Sequence, residues 1–191
     1  MHDAISIRNL SKSFGGHRVL SGFSAEIPLC GVTALRGVSG AGKTTLFRLL
    51  LGLERPDAGE IRGMEGRKPA VVFQEDRLLP WADALANASL GSDTVSAGQM
   101  LERLGLGGSL HLLPRELSGG MRRRVAIARA LAYDGDILFL DEPFTGLDDE
   151  NKRTAVEALL RARVPILVIT HDDAEAKLFG GYRELEIVPP V

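Results

Sequence analysis

Apolar positions change their spacing several times along the chain, and each change predicts a different element. Residues 4–10 and 23–28 mix apolar and polar positions on either side of Gly15-Gly16, as short strands of a half-exposed antiparallel sheet do. Gly31-Val32-Thr33-Ala34-Leu35 reads as a buried strand that runs into a glycine-rich loop. Lys43 to Leu51 then reads as a helix, stopped near Gly52 and Pro56. Val71-Val72-Phe73, Ile137-Leu138-Phe139-Leu140 and Ile166-Leu167-Val168-Ile169 are continuous apolar runs, which suit central strands covered on both faces. Strands alternating with helices predict an α/β fold with a mostly parallel central sheet. Residues 75–116 break this rhythm. They carry Leu-rich helical stretches such as Gln99-Met100-Leu101-Glu102-Arg103-Leu104, interrupted by glycines, and no apolar β run. The expected organisation is a single domain over 1–191. In it, 1–74 and 117–191 form the α/β core with an antiparallel β subdomain, and 75–116 form a small inserted helical subdomain.

Composition narrows this picture only a little. At 191 residues the chain fits one domain with an insert. Its 45% hydrophobic and 25% charged residues are ordinary for a soluble globular protein. A net charge of −2 gives no reason to expect nucleic acid as a partner. Cys30 is the only cysteine, which excludes an intrachain disulfide and fits a reducing compartment. Met1-His2-Asp3-Ala4 lacks the charged and apolar regions of a signal peptide. No apolar run approaches the roughly 18–20 residues that span a bilayer, so any membrane role is expected to go through a partner.

Three segments carry chemistry. Gly37-Val38-Ser39-Gly40-Ala41-Gly42-Lys43-Thr44 fits G-x-x-x-x-G-K-[ST]. Its glycines let the backbone approach phosphates, and its N–H groups form a nest at the positive end of a helix. Lys43 supplies a mobile charge for the β- and γ-phosphates, Thr44 a hydroxyl for Mg²⁺, and Thr45 reaches toward the α-phosphate. Asp141 and Glu142 end an apolar strand, where α/β sheets bind ligands. Asp141 is the candidate to order Mg²⁺ through water, and Glu142 to orient and polarise an attacking water. A helix N-cap is the other reading of this pair. In Leu117-Ser118-Gly119-Gly120-Met121, Ser118 offers a hydroxyl and the two glycines expose N–H groups at the start of a helix through Val125-Ala126-Ile127-Ala128, a second anion site. Arg122, Arg123, Arg124 and Arg129 then read as a basic helix face, solvated or paired.

Taken in order, these segments resemble an ATP-binding cassette ATPase, the nucleotide-binding subunit of ABC transporters, over almost the whole chain. The resemblance implies a P-loop NTPase core. Residues 37–45 match the Walker A loop, which implies that Gly37, Ser39, Gly40, Ala41, Gly42, Lys43, Thr44 and Thr45 bind ATP. Phe14 resembles the aromatic that stacks on adenine, and Val19 lies where a second apolar contact is usual. Gln74 matches the Q-loop glutamine, which implies a place beside Thr44 and Asp141 around Mg²⁺ and beside Glu142 and His171 in catalysis. Residues 137–142 match Walker B, Thr145-Gly146-Leu147-Asp148 resembles the D-loop, and His171 resembles the switch histidine. Residues 117–121 match the signature, which implies that Ser118, Gly119 and Gly120 face the ATP of a second copy of the chain, so that two subunits sandwich two nucleotides. Met121 stands where the family usually has glutamine and Gly146 where it usually has alanine; neither removes a catalytic side chain. Little follows Arg183-Glu184-Leu185-Glu186-Ile187, so no C-terminal regulatory domain is expected.

Further partners implied are an integral-membrane permease and, indirectly, a solute-binding protein, with the chain on the cytoplasmic face of the membrane. Phe73-Gln74-Glu75-Asp76-Arg77-Leu78-Leu79-Pro80-Trp81 resembles the nitrate, sulfonate and taurine importer branch. Two rivals remain open. An ABC ATPase acting on ribosomes or DNA usually has two cassettes or a long coiled coil, and neither is present here. A nucleotide-sensing module without turnover would carry degenerate Lys43, Glu142 or His171 positions. Leu79-Pro80-Trp81 either lines a groove for the permease or anchors the insert's own core.

Overall fold

The structure is a computed structural model and describes residues 3–189. In chain order its elements are β1 (Ala4–Phe14), β2 (His17–Pro28), β3 (Val32–Arg36), α1 (Lys43–Leu50), β4 (Ala58–Arg62), β5 (Pro69–Val72), α2 (Ala84–Ala88), α3 (Thr94–Arg103), α4 (Gly119–Ala132), β6 (Ile137–Asp141), α5 (Asp149–Arg161), β7 (Ile166–Ile169), α6 (Asp173–Lys177) and β8 (Arg183–Glu186). Short 3-10 turns at Gly107–Ser109 and Pro114–Glu116 follow α3.

The continuous apolar runs become the centre of the molecule. Every residue of β6 and β7 is buried. They lie inside a sheet ordered β5-β6-β7-β3-β8, whose neighbours all pair in parallel. Successive side chains point to opposite faces, so the sheet feeds two cores. Val32, Ala34, Leu138, Leu140, Ile166 and Val168 face one core, with residues of α2 to α5. Leu35, Ile137, Phe139, Leu167 and Ile169 face the other, with α1 and the antiparallel sheet. Phe47 of α1 meets Phe139 of β6 edge to face, 5.3 Å between centroids at 83°. Such a pair adds about 0.5–1.5 kcal/mol beyond area burial. It also fixes the helix behind the glycine loop against the strand that ends in Asp141.

The antiparallel sheet, ordered β2-β1-β4, is larger than the alternation predicts. β1 and β2 run on to the Gly15-Gly16 turn, where both glycines have positive φ, the backbone a two-residue hairpin loop needs. The strand expected over 4–10 continues to Phe14, and the pattern stops short because register shifts intervene: Asn9 is left-handed at φ 48, and further shifts follow Leu10 and Lys12. β4 has no apolar run to announce it. Gly59 allows it to pair there, since a Cβ would sit 2.4 Å from the Asn9 carbonyl oxygen.

In the 75–116 segment, α2 and α3 start on Asp83 and Asp93, whose carboxylates accept from Ala86 N and Ser96 N at 2.8 Å. Gln99 to Arg103 fall in α3 as expected. Asn87, wholly buried, is the staple of this region. Its side-chain oxygen accepts from Leu79 N, and its amide donates to the carbonyls of Leu79, Ala82 and Asp83. The loop between β5 and α2 is thereby held in one shape.

Candidate functional site

β3 delivers the chain to Gly37, and α1 begins six residues later at Lys43. Two glycines make the loop possible. At Gly37 (φ +143) a Cβ would lie 2.5 Å from the Ile187 carbonyl oxygen, and at Gly42 (φ +97) it would press on Val19 Cγ1 at 3.0 Å. The Lys43 ammonium folds back over the loop and donates to Gly37 O at 2.7 Å and Val38 O at 2.9 Å. Burial pulls its pKa below the ordinary lysine value, opposed by the nearby Glu142 and Asp141 charges. Thr44 Oγ1 donates to Asp141 Oδ2 at 3.3 Å, so the loop and the end of β6 already touch.

Asp141 is 5% exposed. Burial raises its pKa first and the neighbouring Glu142 second, while the Thr44 hydroxyl and Arg123 pull the other way. A carboxylate so placed favours a cation beside it. Glu142 follows in the left-handed region at φ 48, its N–H donating to Ile169 O at 2.9 Å. That backbone costs on the order of 1–3 kcal/mol for a non-glycine residue. It turns the side chain toward β7, where Glu142 Oε1 meets His171 Nε2 at 2.9 Å. Neither carboxylate caps a helix: the next one, α5, is capped by Asp148, which accepts from Asn151 N.

A cavity of about 300 Å³ opens between these groups. It is lined by Val19, Ser39, Gly40, Gly42, Lys43, Thr44, Thr45, Gln74, Glu142, Ile169 and His171. Sequence positions spread from β2 to the end of β7 therefore meet in one place. A smaller neighbouring hollow is shared by Thr44, Gln74 and Asp141 with Arg48, Phe73 and Arg77. Ala41 is buried beneath the loop, its N–H donating to Val38 O. Phe14 does not line the cavity. It sits 42% exposed at the tip of the hairpin whose second strand supplies Val19, with Lys12 Nζ 5.0 Å from its ring centroid.

Ser118, Gly119 and Gly120 are absent from the cavity lining. Ser118 caps α4: its Oγ accepts from Met121 N at 3.2 Å, which leaves the hydroxyl proton free to donate. The helix start keeps its unpaired N–H groups. Gly120 has no room for a side chain, because a Cβ would lie 2.9 Å from Gly146 O. Met121 packs against the larger core, which accounts for an apolar residue there.

Of the two readings of the α4 arginines, solvated or paired, the structure favours the second, and it corrects the placement of Arg123 on a face. Arg122 and Arg124 donate to the carbonyls of Leu117 and Leu104, each at 2.7 Å, and Arg129 to those of Arg77 and Asp76. Arg123 is not on a surface at all; it is 2% exposed, with its guanidinium under the Asp141-Glu142-Pro143 turn. One signal in the sequence pointed there. Arg123 shares a helical stripe with Ile127 and Ala130, at i+4 and i+7, and both are buried. Trp81 is likewise no core anchor: it is 76% exposed, on the loop that Asn87 staples.

A family model described as ABC transporter matches residues 20–145. The aliphatic sulfonates import ATP-binding protein SsuB 3 of Paraburkholderia xenovorans is 44% identical over 181 residues, covering 91% of this chain and 72% of that protein. The protein of that name, SsuB, in Frankia casuarinae is 43% identical over 186 residues, 93% of this chain and 61% of its own length. Among solved structures, a dimeric post-hydrolysis state of the ATP-binding cassette MJ0796 bound to ADP and Pi aligns with TM-score 0.83 and 26% identity, covering 96% of each chain.

Proposed function

The chain belongs to the ABC transporter family, and on that footing we propose that it is the ATP-hydrolysing subunit of a bacterial importer whose solute is an aliphatic sulfonate. The observation that carries the reading is the single cavity that gathers Lys43, Thr44, Gln74, Glu142 and His171. The names of the relatives support the solute class.

In this reading Lys43 exchanges its bonds to Gly37 O and Val38 O for the β- and γ-phosphate oxygens. Gly37, Ser39, Gly40, Ala41, Gly42 and Thr45 surround the phosphates with loop and helix N–H groups. Glu142 holds and polarises the attacking water, and His171 steadies Glu142 and reads the γ-phosphate. Thr44, Asp141 and Gln74 present hydroxyl, carboxylate and amide oxygens, a donor set that suits Mg²⁺. No group of three or more His, Cys, Asp or Glu among the described residues could hold a metal. That accords with an ion that takes one or two carboxylates and completes its shell with phosphate and water. Mg²⁺ would supply charge neutralisation at the transferred phosphoryl group.

Ser118, Gly119 and Gly120 serve the ATP of a second copy. The 75–116 segment is the helical subdomain, set into a core of 1–74 and 117–191. No helix among the described residues is long and apolar enough to cross a membrane. In this reading the chain works from the cytoplasmic face through a permease, which a solute-binding protein loads from the other side. Reconstitution with that permease and binding protein in liposomes tests the whole reading. An alkanesulfonate should stimulate ATP hydrolysis and enter the vesicles. Turnover indifferent to both partners would overturn it.

Two substitutions probe the reading's edges. Phe14→Ala should weaken ATP by about 1–2 kcal/mol, as loss of a base–aromatic stack does, and should weaken GTP equally, because a π-face does not read base edges. Equilibrium binding of both nucleotides checks this; a changed ATP/GTP preference would give Phe14 another role. Trp81→Ala should leave the melting temperature and basal ATPase near wild type, since the ring is already in water. It should cost co-purification with the permease, because an exposed tryptophan on a stapled loop is a typical anchor. Wild-type permease yield from Trp81→Ala would retire the docking role of this loop.

A further inference from the structure

We propose that Arg123 is a positioning residue for hydrolysis: it bolts the first turns of α4 to the backbone that carries Glu142 and Gln74, so that the helix reading one nucleotide sets the geometry of the hydrolytic groups at another. The proposal rests on the assignment of Glu142 to hydrolysis. Its basis is the way one guanidinium is shared. Nε donates to Pro143 O at 2.9 Å, and Nη2 to Asp141 O at 2.8 Å and to Glu142 O. Nη1 donates to Phe73 O, to Gln74 O at 3.3 Å and to Asp76 Oδ1 at 3.2 Å. Five carbonyls from two separate loops converge on one planar fork. No other side chain offers five N–H groups in that geometry.

The carbonyls it holds are not arbitrary. Three bracket Glu142, the residue whose left-handed backbone must be kept in place for its carboxylate to meet His171. The other two, Phe73 O and Gln74 O, lie in the loop directly after β5. Arg123 itself lies on α4, whose cap is Ser118. A displacement of that cap would be transmitted through one buried side chain to both loops. Burial lowers the arginine's pKa and Asp76 supports it, so the ion pair offsets part of the desolvation cost without determining the carbonyl pattern.

Two variants separate positioning from plain stability. Arg123→Lys keeps the charge but has a single donor atom, which cannot span both loops. It should lower kcat on the order of 10- to 100-fold, as small misplacements of reacting groups do, with KM and ATP affinity within about twofold of wild type. Asp76→Asn removes the carboxylate partner and keeps every carbonyl bond. It should lower the melting temperature at least as much as Arg123→Lys while kcat, measured well below melting, stays near wild type. Parallel loss of stability and kcat in both variants would overturn the proposal. So would Arg123→Lys with wild-type kcat. In the wild-type protein, the Arg123 Nε–H resonance should shift when a non-hydrolysable ATP analogue is added; a resonance that nucleotide does not move would also overturn it. Failure of the underlying assignment looks different: Glu142→Gln would then hydrolyse ATP at the wild-type rate.

Discussion

Glu142→Gln is expected to bind ATP as the wild type does and to turn it over on the order of 10²–10⁴ times more slowly, the range spanned by a positioned general base. The amide keeps the shape that fits between β6 and the His171 ring, so the cavity should survive. What it loses is the negative oxygen 2.9 Å from His171 Nε2, the group able to draw a proton from water. With hydrolysis stalled, the closed state should accumulate, and size-exclusion chromatography with ATP at high micromolar protein should show a dimer. A species that stays monomeric under those conditions counts against the two-copy arrangement. A variant that hydrolyses at the wild-type rate removes Glu142 from the chemistry.

Lys43→Ala should be nearly as severe, but at the binding step. Among the described residues that line the cavity, Lys43 is the only lysine or arginine. Charge-assisted bonds of this kind contribute about 1.5–3 kcal/mol each. Losing the contacts to the β- and γ-phosphates should therefore cost on the order of 10²-fold or more in affinity. The unliganded fold should hardly notice. The substitution removes two bonds to Gly37 O and Val38 O but also relieves a desolvated charge whose pKa is already pulled down by burial. Calorimetric titration alongside a melting curve checks both halves. Affinity within about twofold of wild type would withdraw the phosphate role.

Some of this molecule could be read before any coordinates, and the reason is locality. The phosphate loop is a short-range device: Gly37, Gly42 and Lys43 act within one turn of backbone, so residue types at fixed spacing are enough. The same holds for β6 and β7, whose buried faces require apolar residues at every position. Long-range features escaped. β4 is half-exposed and is held by its register on β1, with Gly59 set against Asn9. Arg123 lies in a run of arginines that look alike in sequence. Its helical stripe with Ile127 and Ala130 marks it as inward, but its partners stand 18 to 50 residues away, and only the folded chain shows which carbonyls it holds. Phe14 shows the converse limit. The motif order singles it out, yet in the structure it stands beside the cavity and not in its wall.

Ser118 and Lys43 occupy one polypeptide but no common cavity. If each active centre takes its loop from one copy and its cap from another, damage in one copy is not confined to it. In a cell that makes equal amounts of wild-type and Glu142→Gln protein, random pairing leaves only about one quarter of the dimers free of the variant. The stalled pairs would also hold permeases in the closed state. The allele should therefore behave as dominant, and more strongly than a deletion, which removes chains without sequestering the partners of those that remain. A Lys43→Ala allele, unable to close with ATP, should be close to recessive.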